Sequence, residues 1–167
     1  MRPNLGVVYD RLAWAASASV RVLAIVIAVV GGPALADKRA NYFNDPFLQV
    51  TNGIAECPVP EGPMITESEM KTEAHSRAER GTRCFLSGQC RLPNSYLYDQ
   101  EIIPRVKKVI LADGRFLDTS IWAEGQRRWV WLKGCVRRQD QAMALERLVR
   151  GLDDVEAVIN QLAVRKR

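Results

Sequence analysis

The sequence has one histidine, His75, among its 167 residues. With no nucleophile and base paired in any motif, nothing is left on which to build a general acid–base or nucleophilic centre. The four cysteines (Cys57, Cys84, Cys90 and Cys135) contain no C-x-x-C. That spacing argues against thiol redox catalysis and, with a single histidine, against a zinc site. The formal charge of +5 is modest and acidic residues interrupt the basic ones, so there is no basic stripe for nucleic acid. No apolar run reaches the roughly twenty residues that cross a bilayer. An enzyme, a metalloprotein and a nucleic-acid binder are therefore all disfavoured, and neither a cofactor nor a small-molecule substrate is expected. A binding module remains.

Residues 1–36 read as a signal peptide. Arg2, Arg11 and Arg21 supply positive charge, and residues 22–30 are an unbroken apolar run. Gly31-Gly32-Pro33 breaks a helix, and Ala34-Leu35-Ala36 is an A-x-A cleavage signature. The long segment before the apolar run leaves an uncleaved anchor as the alternative. No cysteine follows the cleavage position, which argues against lipid modification there. The mature chain then starts at Asp37 in an oxidising compartment, where four cysteines imply two disulfides and three connectivities are possible.

Residues 37–98 form a cysteine-bearing extension. The charge balance shifts along the chain: residues 37–100 carry 7 Lys+Arg against 9 Asp+Glu, whereas residues 101–167 carry 14 against 9. Residues 41–63 hold four prolines without hydrophobic period and predict irregular structure. Thr66 and Glu69 make a capping box, Met70, Ala74 and Ala78 form a narrow apolar stripe, and Gly81 stands as the stop of one short helix. His75 lies beside that stripe as an ordinary surface or packing histidine. Residues 84–90 are a compact loop with Gly88 in a turn position. So little apolar surface cannot make a core of its own. The extension needs staples and a surface to lie on.

Residues 96–111 are an amphipathic helix on Ile102, Ile103, Val106, Val109 and Ile110, with its regular part beginning near Ile103 because of Pro104, and Asp113-Gly114 ends it. Residues 119–136 are the clearest hairpin, with Gly125-Gln126 as the turn. Ile121, Ala123, Val130, Leu132 and Val136 fall on one face, which must meet a core. Trp122, Trp129, Trp131, Lys133 and Cys135 fall on the other. Three tryptophans carry roughly 450–750 Å² of surface, at or above the largest patch a monomer leaves exposed, about 300–600 Å². That face is either covered by another part of the chain or used for binding. A second amphipathic helix follows at 139–152 on Ala142, Leu145, Leu148, Val149 and Leu152. A third strand follows at 155–164, with Val158, Asn160, Leu162 and Val164 on alternate positions. The order α-β-β-α-β, with two helices packed on one face of a three-stranded sheet, is an α+β sandwich preceded by an irregular, disulfide-stapled extension.

Cys135 shares its strand face with Trp129 and Trp131, so its sulfur points toward whatever covers them. Cys84 and Cys90 can close locally around the glycine-bearing loop, which leaves Cys57 for Cys135. Cys57 to Cys84 with Cys90 to Cys135 is the rival pairing.

Residues 101–164 resemble the BON domain of bacterial envelope proteins. Val130-Trp131-Leu132-Lys133-Gly134-Cys135-Val136 is similar to that family's V-x-L-x-G-x-V, and residues 155–164 (VEAVINQLAV) to its V-x-x-V-x-N-x-L-x-V. Asp154 stands where the family has glycine before the second motif; Asp tolerates the left-handed conformation better than most residues. Arg128 replaces the usual hairpin glycine, with Gly125 as its substitute. The resemblance assigns residues 99–167 to a single BON domain. It implies a non-enzymatic protein that binds phospholipid at a periplasmic membrane face and supports envelope integrity or osmotic-stress tolerance. Trp122, Trp129 and Trp131, with Arg127, Arg128 and Lys133 at or near their face, suit an anionic headgroup region. Arg137 lies at its edge. The alternative is a periplasmic adaptor that uses the same face to dock on an outer-membrane or cell-wall complex. N-terminal sequencing of protein taken from the envelope should begin at Asp37; a start at Met1 with membrane retention would mark the segment as an anchor.

Overall fold

The computed structural model describes residues 37–165. The segment expected to be a signal peptide lies outside them. The chain runs β1 (Arg39–Ala40), β2 (Phe47–Asn52), β3 (Ile65–Thr66), α1 (Glu67–Leu86), a 3-10 turn (Ser95–Tyr98) and α2 (Asp99–Asp113). It continues through β4 (Ser120–Gln126), β5 (Trp129–Val136), α3 (Gln139–Arg150) and β6 (Ala157–Val164). The class is α+β, as expected.

The main sheet has four strands, not three, in the order β2-β4-β5-β6. The added strand is β2, from the segment expected to be irregular. It pairs antiparallel with β4, Phe47 opposite Glu124 and Thr51 opposite Ile121, with a register shift between Gln49 and Thr51. The reason is tertiary. Residues 47–52 show little alternation by themselves, but β4 has an open edge, and pairing satisfies backbone groups that would otherwise be buried unbonded. β1 and β3 make a separate two-stranded ladder, Arg39 opposite Thr66.

β4 and β5 form the expected antiparallel hairpin, with Trp122 opposite Lys133 and Glu124 opposite Trp131. The turn lies two residues later than expected. It is Arg127-Arg128, both in the left-handed region at φ 57° and 67°, the conformation a two-residue type I′ turn demands. Gly125 is not the turn residue but a strand residue where α2 comes close: a Cβ there would lie 2.7 Å from Ile103 Cγ1. From β5 the chain crosses through α3 to β6, which pairs parallel with β5, Trp131 beside Ile159. Asp154, ahead of β6, takes φ 68°, so it does adopt the left-handed conformation in glycine's place.

One core cluster joins both C-terminal helices to the aliphatic face of the sheet. It contains Ile102, Ile103, Val106 and Ile110 of α2, Ala142, Leu145 and Val149 of α3, and Ile121, Ala123, Val130, Leu132, Val136 and Val158 of the strands. Seven of these are β-branched residues of the sheet or α2 at 0% exposure; fully burying such a side chain is worth about 1.5–3 kcal/mol. The helix over 96–111 begins as a 3-10 turn and becomes α-helical at Asp99, earlier than the start near Ile103 expected from Pro104. Asn160 faces α3, donating from Nδ2 to the Ala142 carbonyl at 2.9 Å.

α1 keeps its expected start. Glu69 N donates to Thr66 Oγ1 at 3.2 Å and Thr66 N to Glu69 Oε2 at 2.7 Å, the reciprocal capping box. It does not stop at Gly81 but runs 20 residues to Leu86. Gly81 is buried where the helix meets Asn94; a Cβ would fall 2.4 Å from Asn94 Oδ1. The stripe of Met70, Ala74 and Ala78 is not the docking face either, since Ala74 and Ala78 are exposed and the buried residues are Arg77 and Gly81. The Arg77 guanidinium lies 4.1 Å from the Phe43 ring centroid and 3.9 Å from that of Tyr96. It also donates two bonds to Asp45, at 2.9 and 2.5 Å. A stacked, bidentate arginine does the docking that an apolar stripe does in most helices.

The disulfides are Cys57–Cys135 and Cys84–Cys90, as derived from the strand face and the local loop. They differ in sequence separation, 78 against 6, and loop-closure entropy assigns about 4.5 kcal/mol to the long bond and about 2.4 kcal/mol to the short one. Replacing Cys57 and Cys135 together by alanine should therefore lower the free energy of unfolding, measured by denaturant titration, by more than the same change at Cys84 and Cys90. Equal losses would show that the long loop is not what the first bond restrains.

Candidate functional site

The tryptophan face begins as one stripe and is divided by what lies on it. Over β4 and the end of β5, Trp122 is buried at 5% exposure in a small second cluster with Ile54, Cys57 and Cys135, and Phe47 packs alongside. Ser120 anchors this cover: its Oγ accepts from Ile54 N at 2.9 Å and donates to Ile54 O at 3.0 Å. The Cys57–Cys135 bond then clamps the loop onto the strand. At that end the covering alternative holds.

At the hairpin end it does not. Trp129 and Trp131 are only half-buried, with ring centroids 6.1 Å apart and planes tilted by 37°. The Arg127 guanidinium lies 4.9 Å from the Trp129 ring centroid, a cation–π distance. Both indoles line a depression of about 290 Å³ with Tyr96, Gln126, Arg127, Glu73 and Arg80. The edge strand β6 sets Ala157 beside Trp129 and Ile159 beside Trp131 in register, extending the apolar strip. Trp129 Nε1 is buried and has no hydrogen-bond partner among the described residues.

Lys133 and Arg128 share neither end freely. Lys133 Nζ pairs with Glu124 at 2.7 Å, donates to the Glu61 carbonyl at 3.0 Å, and its side chain is 18% exposed. Arg128 turns toward the helices, Nε to the Asp154 carbonyl at 2.8 Å and Nη1 to Cys90 Sγ at 3.2 Å. Of the six residues expected on this face, Trp129, Trp131 and Arg127 are brought together at one opening. Trp122 and Lys133 are enclosed, and Arg128 stands behind. His75 is exposed on α1, with Nε2 3.3 Å from Glu79 one helical turn on.

Asp99 was missed by sequence reasoning, and it sets this end of the sheet. Fully buried at the start of α2, it accepts Arg127 N–H at 2.6 Å on Oδ2 and Arg128 N–H at 2.7 Å on Oδ1. Both donors of the strained turn are thereby satisfied by one carboxylate. Asp45 and Arg77 sit close enough to influence it, and Gln126 Nε2 donates to Asp45 Oδ2 at 3.1 Å. Burial pushes the Asp99 carboxyl up to about 7, the Asp45 charge adding to it, while the two backbone donors and Arg77 hold it back. An aspartate opening a helix reads from sequence as an ordinary first-turn acid, so no signal marked it.

The folded state therefore holds the Asp99 proton more tightly than the unfolded chain, whose aspartate titrates near 3.8. Stability from this group is full below that value and falls as pH rises through about 7. Thermal melts from pH 4 to pH 8 should show the wild type losing on the order of 2–4 kcal/mol relative to Asp99→Asn, whose side chain does not titrate. Parallel pH profiles for the two proteins would remove Asp99 as the cause.

Residues 98–166 match the family model of the BON domain. No curated protein and no solved structure matches the chain. The matched stretch opens at Tyr98 and takes in α2, the hairpin, α3 and β6; β2, α1 and three of the four cysteines precede it.

Proposed function

Because residues 98–166 are a BON domain, we propose that the protein is a non-enzymatic binding protein of the bacterial periplasm that associates with phospholipid membrane. BON domains are associated with phospholipid-binding and osmotic-stress proteins and carry no recognised catalytic constellation; support of envelope integrity is the role that follows. The observation that carries the reading is the half-buried Trp129–Trp131 pair lining an open depression, with Arg127 stacked on Trp129. Indole suits the headgroup region, with an apolar body and a polar N–H. A guanidinium beside an anionic leaflet adds about 1 kcal/mol, weakened by salt.

In this reading Trp129, Trp131 and Arg127 touch the membrane. Trp122, Lys133 and Arg128 hold the platform, since one is buried and the other two are engaged within the chain. The extension serves it too, by covering the end of the face that does not bind.

Sedimentation of residues 37–167 with vesicles tests this. Binding to phosphatidylglycerol-containing vesicles, weakened by salt and reduced about tenfold or more by Trp129→Ala with Trp131→Ala, is the expected result. A double mutant that still folds and binds vesicles like the wild type would rule out the indole pair as the contact. Absence of vesicle binding in the wild type, with capture of an envelope protein that depends on the same indoles, would establish the adaptor instead.

A further inference from the structure

Behind the tryptophan depression lies a second cavity, of about 460 Å³, between the last turns of α1, the Cys84–Cys90 loop and the hairpin turn. Four arginines line it: Arg80 and Arg83 from α1, Arg127 and Arg128 from the turn. The only acidic residue among its lining is Glu156. None of the four arginines is in an ion pair among the described residues, although other surface arginines of the chain are paired. Arg128 spends two donors on the Asp154 carbonyl and Cys90 Sγ. Arg80 and Arg83 make no side-chain hydrogen bond within the described residues, and Arg127 makes one only through its backbone N–H.

Ser95 supplies an independent sign. Its residue is 3% exposed, it lines this cavity, and its Oγ has no hydrogen-bond partner among the described residues. A buried hydroxyl without a partner is uncommon in a folded protein. Gln89, exposed on the disulfide loop, adds its amide N–H2 as a further donor, while the Ser87 hydroxyl beside it already donates to the Cys84 carbonyl at 3.0 Å. Converging guanidiniums with hydroxyl and amide donors, and little negative charge to neutralise them, match a group that carries more than one negative charge and accepts many hydrogen bonds. Arginine's planar fork favours phosphate, which it can meet bidentately.

We propose that this cavity is a phosphate-group site, built jointly by the extension and the BON hairpin and distinct from the indole contact. Arg80 and Arg127 line both openings, so a phosphate held here has the Trp129–Trp131 shelf beside it for whatever the phosphate is attached to. Phe85 and Leu86, 44% and 79% exposed, flank the same loop. A phospholipid headgroup and a soluble phosphate both offer the required chemistry. The site stands without the membrane reading.

The test is isothermal titration of residues 37–167 with inorganic phosphate and with glycerol phosphate, alongside sedimentation with phosphatidylglycerol-containing vesicles. Arg80→Gln with Arg83→Gln changes exposed residues of α1 and leaves the core and the Asp99 pin untouched. It should lower affinity for whichever phosphate probe binds by about tenfold or more, because charge-assisted hydrogen bonds are lost. Lys107→Gln with Lys108→Gln removes the same charge from exposed positions of α2 and should change affinity by less than about twofold. If soluble phosphate binds and depends on the α1 arginines, the site is one for phosphate itself, even should vesicles fail to bind and the membrane reading fall. If only vesicles bind and the α1 pair weakens them selectively, the phosphate is a headgroup. The proposal is overturned if no probe binds, if the α1 pair and the α2 pair lower affinity equally, or if every probe that binds the wild type binds the α1 variant as well.

Discussion

A single carboxylate holds the hairpin in the shape on which the rest of the binding end depends. Two consecutive non-glycine residues in the left-handed region cost on the order of 1–3 kcal/mol each. Arg127 and Arg128 tolerate it because both backbone N–H groups end on Asp99. Pinning the turn to the first residue of α2 fixes where that helix starts, and Gly125 lets it press against β4. The turn then sends one arginine over Trp129 and the other toward Asp154 and Cys90. Removing the pin would free a turn that two non-glycine residues adopt only at a cost.

The extension is attached by directional contacts, since it has little apolar surface of its own. The Arg77–Asp45 pair, stacked between Phe43 and Tyr96, docks α1, β2 supplies backbone pairing, and Cys57–Cys135 closes the far end. Such contacts demand geometry, whereas an apolar stripe tolerates sliding. A buried ion pair of this kind is weak evidence for stability by itself, but it specifies one arrangement. It covers Trp122 and leaves Trp129 and Trp131 half-open.

The two openings near the hairpin thereby differ in character. One is an aromatic shelf on the sheet; the other is an arginine-lined cavity against α1 and the disulfide loop, and Arg127 belongs to both. The first arises from the BON hairpin, while the second needs residues that precede the family match. A binding role for the extension follows from this placement, beyond the staple that its cysteines suggest.

The α+β class, the two core helices and the hairpin with its two chemically different faces could all be read from residue order, and so could the preferred disulfide pairing, although only the structure decides it against its rival. Each rests on local periodicity or on a cysteine's place on a strand, which neighbours in sequence settle. Asp154's left-handed turn was legible for the same reason, as one residue standing where another type is usual. What lay outside reach was β2, because an edge strand is defined by the partner that needs pairing and not by its own pattern. The continuation of α1 through Gly81, the docking by Arg77, the placement of the turn at Arg127-Arg128 and the burial of Asp99 share that origin. In each, a polar residue or a glycine takes its role from a group far away in the chain: Asn94, Asp45, or the amides of a turn 28 and 29 residues on. Apolar periodicity records which side of an element faces a core. It holds no record of which distant donor or acceptor a buried charge will meet, and only the tertiary structure decides that.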